Sequence, residues 1–170
     1  MCLILLSFDI HPVYRLVIAA NRDEFYNRPT APLEIWKDNP RVIAGRDLKG
    51  GGTWMGVSRS GRFAAIPNYR EPGRQILDAP SRGHLISDYL IGHTPPIDYL
   101  EDLKQKAGQY NGFNLLVGDT RSLYYYSNRS DGVIRLEPGI YGLSNRLLDT
   151  RWPKVHQGKE RLSTLIGHDT

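Results

Sequence analysis

Hydrophobic and polar positions alternate along this chain in short runs, give way to helical stripes, and then return to short runs. Residues 2–8 and 14–20 are two apolar runs joined by Asp9-Ile10-His11-Pro12, whose proline suits a turn and not a continuing strand. The chain is therefore expected to open with a β-hairpin. Residues 21–32 mix charge, asparagine and proline, which predicts a loop presenting side chains at a strand end. Arg41-Val42-Ile43-Ala44-Gly45 reads as a short strand. The triplet Gly50-Gly51-Gly52 that follows implies close backbone approach or unusual dihedrals. Residues 53–58 and 62–66 form the next strand pair around the turn Arg59-Ser60-Gly61, and Pro67-Asn68-Tyr69-Arg70 closes it.

The period then lengthens. Leu85, Ile86, Tyr89 and Leu90 share one helical face, with Ser81 as a candidate cap and Gly92 as the stop. Ile97, Leu100, Leu103 and Ala107 repeat the pattern after Pro95-Pro96. Strands return over 113–117, 122–127, 133–136 and 139–143, separated by Gly118-Asp119-Thr120 and Ser130-Asp131-Gly132. Within them Tyr124-Tyr125-Tyr126 reads as a strand whose rings alternate between faces. A last helix over 152–166 stops so near Thr170 that its apolar face is expected to lack a partner. Strands, a helical pair, strands and a helix predict an α+β architecture of antiparallel sheets covered by helices.

Composition narrows this picture. A chain of 170 residues, 40% hydrophobic and 24% charged, has the make-up of one soluble globular domain over residues 1–170. No apolar run approaches the roughly 20 residues that cross a bilayer, and no basic leader precedes the first apolar run, so neither a membrane span nor a signal peptide is expected. The single cysteine makes no internal disulfide and excludes multi-cysteine zinc patterns. A cytoplasmic location, no metal and no organic cofactor are expected. The five histidines show no ligand-like spacing for haem.

Charge adds one feature. The net charge is +4, yet residues 41–82 alone hold eight basic residues against three acidic ones. Arginines outnumber lysines 16 to 6, and the planar guanidinium fork suits carboxylate or phosphate recognition. A small anionic ligand fits that excess. Nucleic acid does not, because neither a recognition motif nor a run of consecutive basic residues accompanies it. Oligomeric state is left open.

The candidate chemistry is at the chain start. Cys2 is the only thiol, and once Met1 is removed it carries nucleophile and α-amine on one residue. An amine of pKa about 7.7–8.0 is matched to take a proton from a thiol of about 8.5. The competing reading makes Cys2 a small hydrophobe opening a buried strand. Asn21-Arg22-Asp23-Glu24 follows the second strand, which in a hairpin returns it to the end where Cys2 lies. Asp23 would then hold the amine or thiol, and Arg22 would lower the thiol pKa. Trp54, beside the glycines, reads either as a pocket wall or as a core aromatic.

Taken together, Cys2, Ala19-Ala20-Asn21-Arg22-Asp23-Glu24, Asn27-Arg28-Pro29-Thr30, Gly45-Arg46-Asp47, Gly51-Gly52-Thr53-Trp54-Met55-Gly56-Val57, Asn68-Tyr69-Arg70 and Gly142-Leu143-Ser144-Asn145 resemble the NRDE family. This is the transport and Golgi organisation protein family. The family is in turn similar in outline to N-terminal-nucleophile (Ntn) hydrolases of the choloylglycine hydrolase and penicillin V acylase type. That resemblance implies an αββα sandwich, incomplete at the C-terminus because family members are longer. It also implies cleavage of a non-peptide amide, with Cys2 as nucleophile, Asp23 as the acid that positions it, and Asn68 and Asn145 as oxyanion or N-terminus ligands. Arg22, Trp54 and Arg70 are the substrate-contact candidates, Arg22 standing near but not in register with the basic residue of those acylases. The animal members imply a second possibility, a non-catalytic carrier of haem or an acyl-CoA-like lipid.

Overall fold

In the computed structural model, which describes residues 2–167, the chain begins as an antiparallel hairpin. Strands β1 (Leu3–Phe8) and β2 (Leu16–Asn21) pair in unbroken register from Leu3 opposite Asn21 to Phe8 opposite Leu16. Asp9 takes a positive φ of 53° in the turn, and its N–H donates to the Arg15 carbonyl at 2.8 Å. Seven further strands form a second antiparallel sheet in chain order: β3 (Thr30–Ile35), β4 (Val42–Asp47), β5 (Met55–Ser58), β6 (Phe63–Ala65), β7 (Asn114–Gly118), β8 (Leu123–Ser127) and β9 (Val133–Arg135). Strand β10 (Gly139–Leu143) does not continue that sheet. It crosses to the hairpin and pairs with β1, giving the three-stranded order β10-β1-β2.

The strand period of two sorts side chains between layers. From β1, Ile4, Leu6 and Phe8 meet Phe63, Ala65, Leu116 and Tyr125 of the larger sheet in one apolar cluster. The opposite face of the larger sheet packs Val42, Ala44, Leu115 and Val117 against helices α1 (Gly83–Ile91) and α2 (Pro96–Lys104), through Leu85, Ile86, Tyr89, Leu100 and Leu103. Tyr125 belongs to the first cluster, whereas Tyr126 belongs to the second with Tyr124 packed against it, so the three consecutive rings alternate as their positions predict. Helix α3 (Pro153–Gly167) lies on the outer face of the small sheet, in contact with β1 and β10. The order is helix, sheet, sheet, helix, an α+β arrangement of antiparallel sheets.

Three local expectations need correction. The apolar face of α3 is partnered: Val155 and Leu162 are buried, and Gly142 and Gly158 lie so close to Val155 and Leu5 that a Cβ on either glycine would sit 2.6 Å from those side chains. The stretch 21–32 is not wholly loop, because β3 starts at Thr30 and pairs with β4. As an edge strand, largely exposed and with a register shift between Ala31 and Glu34, it carries no alternation by which its sequence could be read, and Pro32 falls at that irregularity. Ser81 does not cap α1 through its side chain; Arg82 occupies the N-cap position without a side-chain cap bond. At the other end, Gly92 closes the helix as expected, donating its N–H to the Asp88 carbonyl.

The buried Arg62 joins the helical layer to the larger sheet. Its Nε donates to the Tyr89 carbonyl at 2.8 Å and its Nη2 to the Thr94 carbonyl at 2.7 Å, while the guanidinium lies 3.8 Å from the Tyr89 ring centroid. The Tyr89 carbonyl in the last turn of α1 and a cation complement each other there.

Candidate functional site

Hairpin pairing decides where Cys2 lies. With Leu3 opposite Asn21, the residue before β1 and the residues after β2 share one sheet end. The Cys2 thiol is within 3.9 Å of the Asp23 carbonyl, and Asn21 Nδ2 donates to Asp23 Oδ1 at 2.9 Å. Arg22 turns aside to bond Glu24 at 2.8 Å. Cys2 is half-buried rather than sealed in the core. Burial pushes its thiol above the ordinary value, and the Arg22 charge pulls in the opposite direction without cancelling the rise.

The return of β10 to β1 brings a second group to the same end. Ser144 Oγ donates to the Cys2 carbonyl at 2.7 Å, and Lys154 Nζ reaches the same oxygen at 3.3 Å. Asn145, buried next to Ser144, donates its side-chain N–H to the Asn68 carbonyl at 3.0 Å and accepts the Arg70 N–H on its backbone oxygen at 2.9 Å. The Asn68 side-chain amide has no protein partner among the described residues. Segments 68–70 and 144–145 are thus tied to each other and to Cys2 by hydrogen bonds from the Ser144 and Asn145 side chains and one backbone bond, and Asn68, Arg70 and Asn145 border a common space.

That space is a cavity of about 650 Å³ lined by Cys2, Asp23, Asn68, Arg70, Arg82 and Asn145, together with the 71–75 turn and the Asn111-Gly112 corner. Five residues singled out from sequence therefore converge on it: Cys2, Asp23, Asn68, Arg70 and Asn145. Trp54 lies elsewhere, packed against the cluster between the sheets, and Arg22 is not among the residues lining the cavity. Arg82 is one of the lining residues that sequence reading passed over, and the half-buried arginine among them. It appeared there only as one of eight basic residues in a window, and nothing in its local pattern distinguishes it from the exposed ones.

Ion pairs, backbone hydrogen bonds and close glycine packing brace the walls. Arg28 pairs with Asp47 at 2.6 Å, and Asp47 Oδ1 accepts the N–H groups of Lys49 and Gly50 at 3.0 Å. Burial alone would raise the Asp47 carboxyl, but the Arg28 hydrogen bond and these two backbone donors outweigh it and hold the group below the usual range. Gly51 adopts φ 77°, and a Cβ on Gly52 would collide with the Gly83 backbone, so the glycine triplet brings its loop against the start of α1. On the far wall Arg129 clamps Glu71, with Nε donating at 2.8 Å and 3.0 Å to its two oxygens. This pairing holds the Glu71 carboxyl below its ordinary value.

The chain as a whole has counterparts in known proteins. Residues 1–170 match the family described as Transport and Golgi organisation 2. The chain belongs to that family. The mouse Transport and Golgi organization 2 homolog is 43% identical over 173 residues, covering 94% of this chain and 62% of the mouse protein. The human homolog is 41% identical with the same coverage, and the fruit-fly protein is 29% identical over 98% of this chain and 65% of its own length. The chain thus spans about 62% of the length of its mammalian relatives. No helix among the described residues is long and apolar enough to cross a membrane, and no group of three or more His, Cys, Asp or Glu among them is arranged to hold a metal ion.

Proposed function

We propose that this Transport and Golgi organisation 2 family chain is an N-terminal-cysteine amidohydrolase acting on a small, non-peptide amide, with residues 1–170 working as one Ntn-type domain. The observation that carries the reading is the opening of the only thiol in the chain onto a polar cavity shared with Asp23, Asn68 and Asn145. The helix, sheet, sheet, helix order supports it at the level of fold, though fold by itself warrants no chemistry.

With Met1 removed, the α-amine of Cys2 is the base. Burial raises the thiol, so its attack calls for a proton acceptor. Sulfur adds to the amide carbonyl as its proton passes to the amine, and the resulting ammonium returns that proton to the departing amine nitrogen. Water then hydrolyses the thioester with the same amine as base, releasing a carboxylic acid and restoring the thiol. Asn68, whose side-chain N–H groups are unengaged among the described residues, donates to the developing oxyanion. The second N–H of Asn145 is the other donor, while its first holds the Asn68 carbonyl. Asp23 positions the terminus, and Arg70 stands at the wall as a substrate contact.

Intact mass of protein from its native host, followed by a panel of small amides, tests this. The expected result is a mass lacking Met1 and a loss of turnover of about 10³-fold or more in Cys2→Ala. Turnover unchanged in Cys2→Ala would sink the hydrolase. If haem or an acyl-CoA then bound wild type and Cys2→Ala equally, a carrier using this cavity would take its place.

A further inference from the structure

The charges around the cavity are unevenly satisfied. Its wall carries three arginines, Arg70, Arg74 and Arg82, against the two carboxylates of Asp23 and Glu71. Glu71 is occupied by Arg129, and Asp23 accepts from Asn21. Arg82 is the half-buried member of the three, whereas Arg70 and Arg74 are exposed. Its Nη1 donates to the Gly112 carbonyl at 2.8 Å, and no carboxylate among the described residues lies within ion-pairing distance of it. The acid that acts on it from further off, Glu24, already accepts from Arg22 and from the Phe25 N–H. Burial makes the charged form of Arg82 costly, and the nearby Arg28 charge adds to that, so both effects lower its affinity for its proton.

An arginine held in a partly dry wall, anchored through one nitrogen and lacking a counter-ion, leaves its other donors for a ligand. The Nε and Nη2 edge is the fork that takes two oxygens of a carboxylate or a phosphate in parallel. We propose that the ligand of this cavity carries an anionic oxygen group, a carboxylate or a phosphate, and that Arg82 is the residue that binds it while the group to be attacked lies at Cys2. The inference rests on the hydrolase reading for what happens at the thiol, but the binding of the anion does not depend on turnover.

A labelling experiment separates the two. The processed full chain is treated with iodoacetamides whose nitrogen bears an alkyl tether ending in a carboxylate, a phosphonate or a neutral methyl ester, at several tether lengths, and alkylation of the single cysteine is followed by mass. At one tether length the anionic reagents are expected to alkylate Cys2 at least 10-fold faster than the ester. This preference, taken as the ratio of anion to ester rate within each protein, should fall with added salt, shrink in Arg82→Lys and vanish in Arg82→Gln. A faster carboxylate than phosphonate identifies a carboxylate ligand, and the reverse a phosphate. Equal labelling by anion and ester at every length, or a preference that survives in Arg82→Gln, would overturn the assignment. Because Arg82→Lys keeps the charge, a fold lost in Arg82→Gln alone still leaves a reading from the lysine variant. Since labelling needs only a thiol, failure of amide turnover leaves this result standing.

Discussion

At the residue scale, the site depends on which side-chain donors remain once the backbone has been satisfied. Asn68 and Asn145 look equivalent in sequence, each an asparagine in a short motif, but their surroundings differ. Asn145 is buried and donates to the Asn68 carbonyl, while the exposed Asn68 amide has no partner among the described residues. Replacing Asn68 by Ala is therefore expected to lower kcat by about 10²–10³-fold with little change in KM, the pattern for a donor that acts on the oxyanion and not on the ground state. Steady-state kinetics on whichever amide the panel identifies would check this. An equal loss in kcat and in folding stability would instead make Asn68 a structural residue. The meeting of Cys2 with the Asp23 backbone was legible beforehand because it is local: a hairpin closed by the short loop 9–15 returns residue 21 to residue 3 whatever the rest of the chain does. Arg82 was not legible, because an arginine becomes a ligand only when the fold withholds its counter-ion.

At the scale of elements, the periods of two and of 3.6 carried the strands and helices they usually carry, and the departures have local causes. An edge strand with a bulge, such as β3, has no buried face to impose alternation on its residues. The glycine triplet could be read as a place of close approach, but not as a statement of what approaches. The structure shows that Gly52 faces Gly83, with the Thr53 N–H donating to the Gly83 carbonyl at 3.3 Å, so this loop sets the start of α1 and with it the position of Arg82. Gly52→Ala is expected to destabilise the fold by about 1–3 kcal/mol, since the neighbour it strikes is backbone and not a mobile side chain. A urea melt that leaves the midpoint in place would show that the loop can yield.

For the whole molecule, the question is what holds two sheets of unequal size in register at the site end. Asn114, fully buried on β7, is the centre of that link: it donates to the Arg146 carbonyl at 2.9 Å and accepts from the Tyr125 hydroxyl at 2.7 Å. The Tyr125 oxygen in turn accepts the Leu148 N–H at 3.2 Å. The segment that carries Ser144 and Asn145 is thus tied to the larger sheet through one buried polar chain. Tyr125→Phe leaves two of its partners unpaired and is expected to cost about 1–3 kcal/mol in urea denaturation. Cys2 alkylation should also quicken as the 144–148 segment loosens, and an unchanged midpoint would mean that a water replaces the hydroxyl.

By itself the sequence determined the kinds of element, the opening hairpin and hence the meeting of Cys2 with Asp23, because these follow from periodicity and from contacts between residues close along the chain. Only the tertiary structure decided that β10 leaves its neighbours to pair with β1, that α3 finds a partner there, and that Asn68, Arg82 and Asn145 meet around one cavity. A repeating pattern of apolar positions records that a face will be buried, but not against what. Those partners are chosen by packing between segments far apart in sequence, where many pairings satisfy the same pattern and one fills the space.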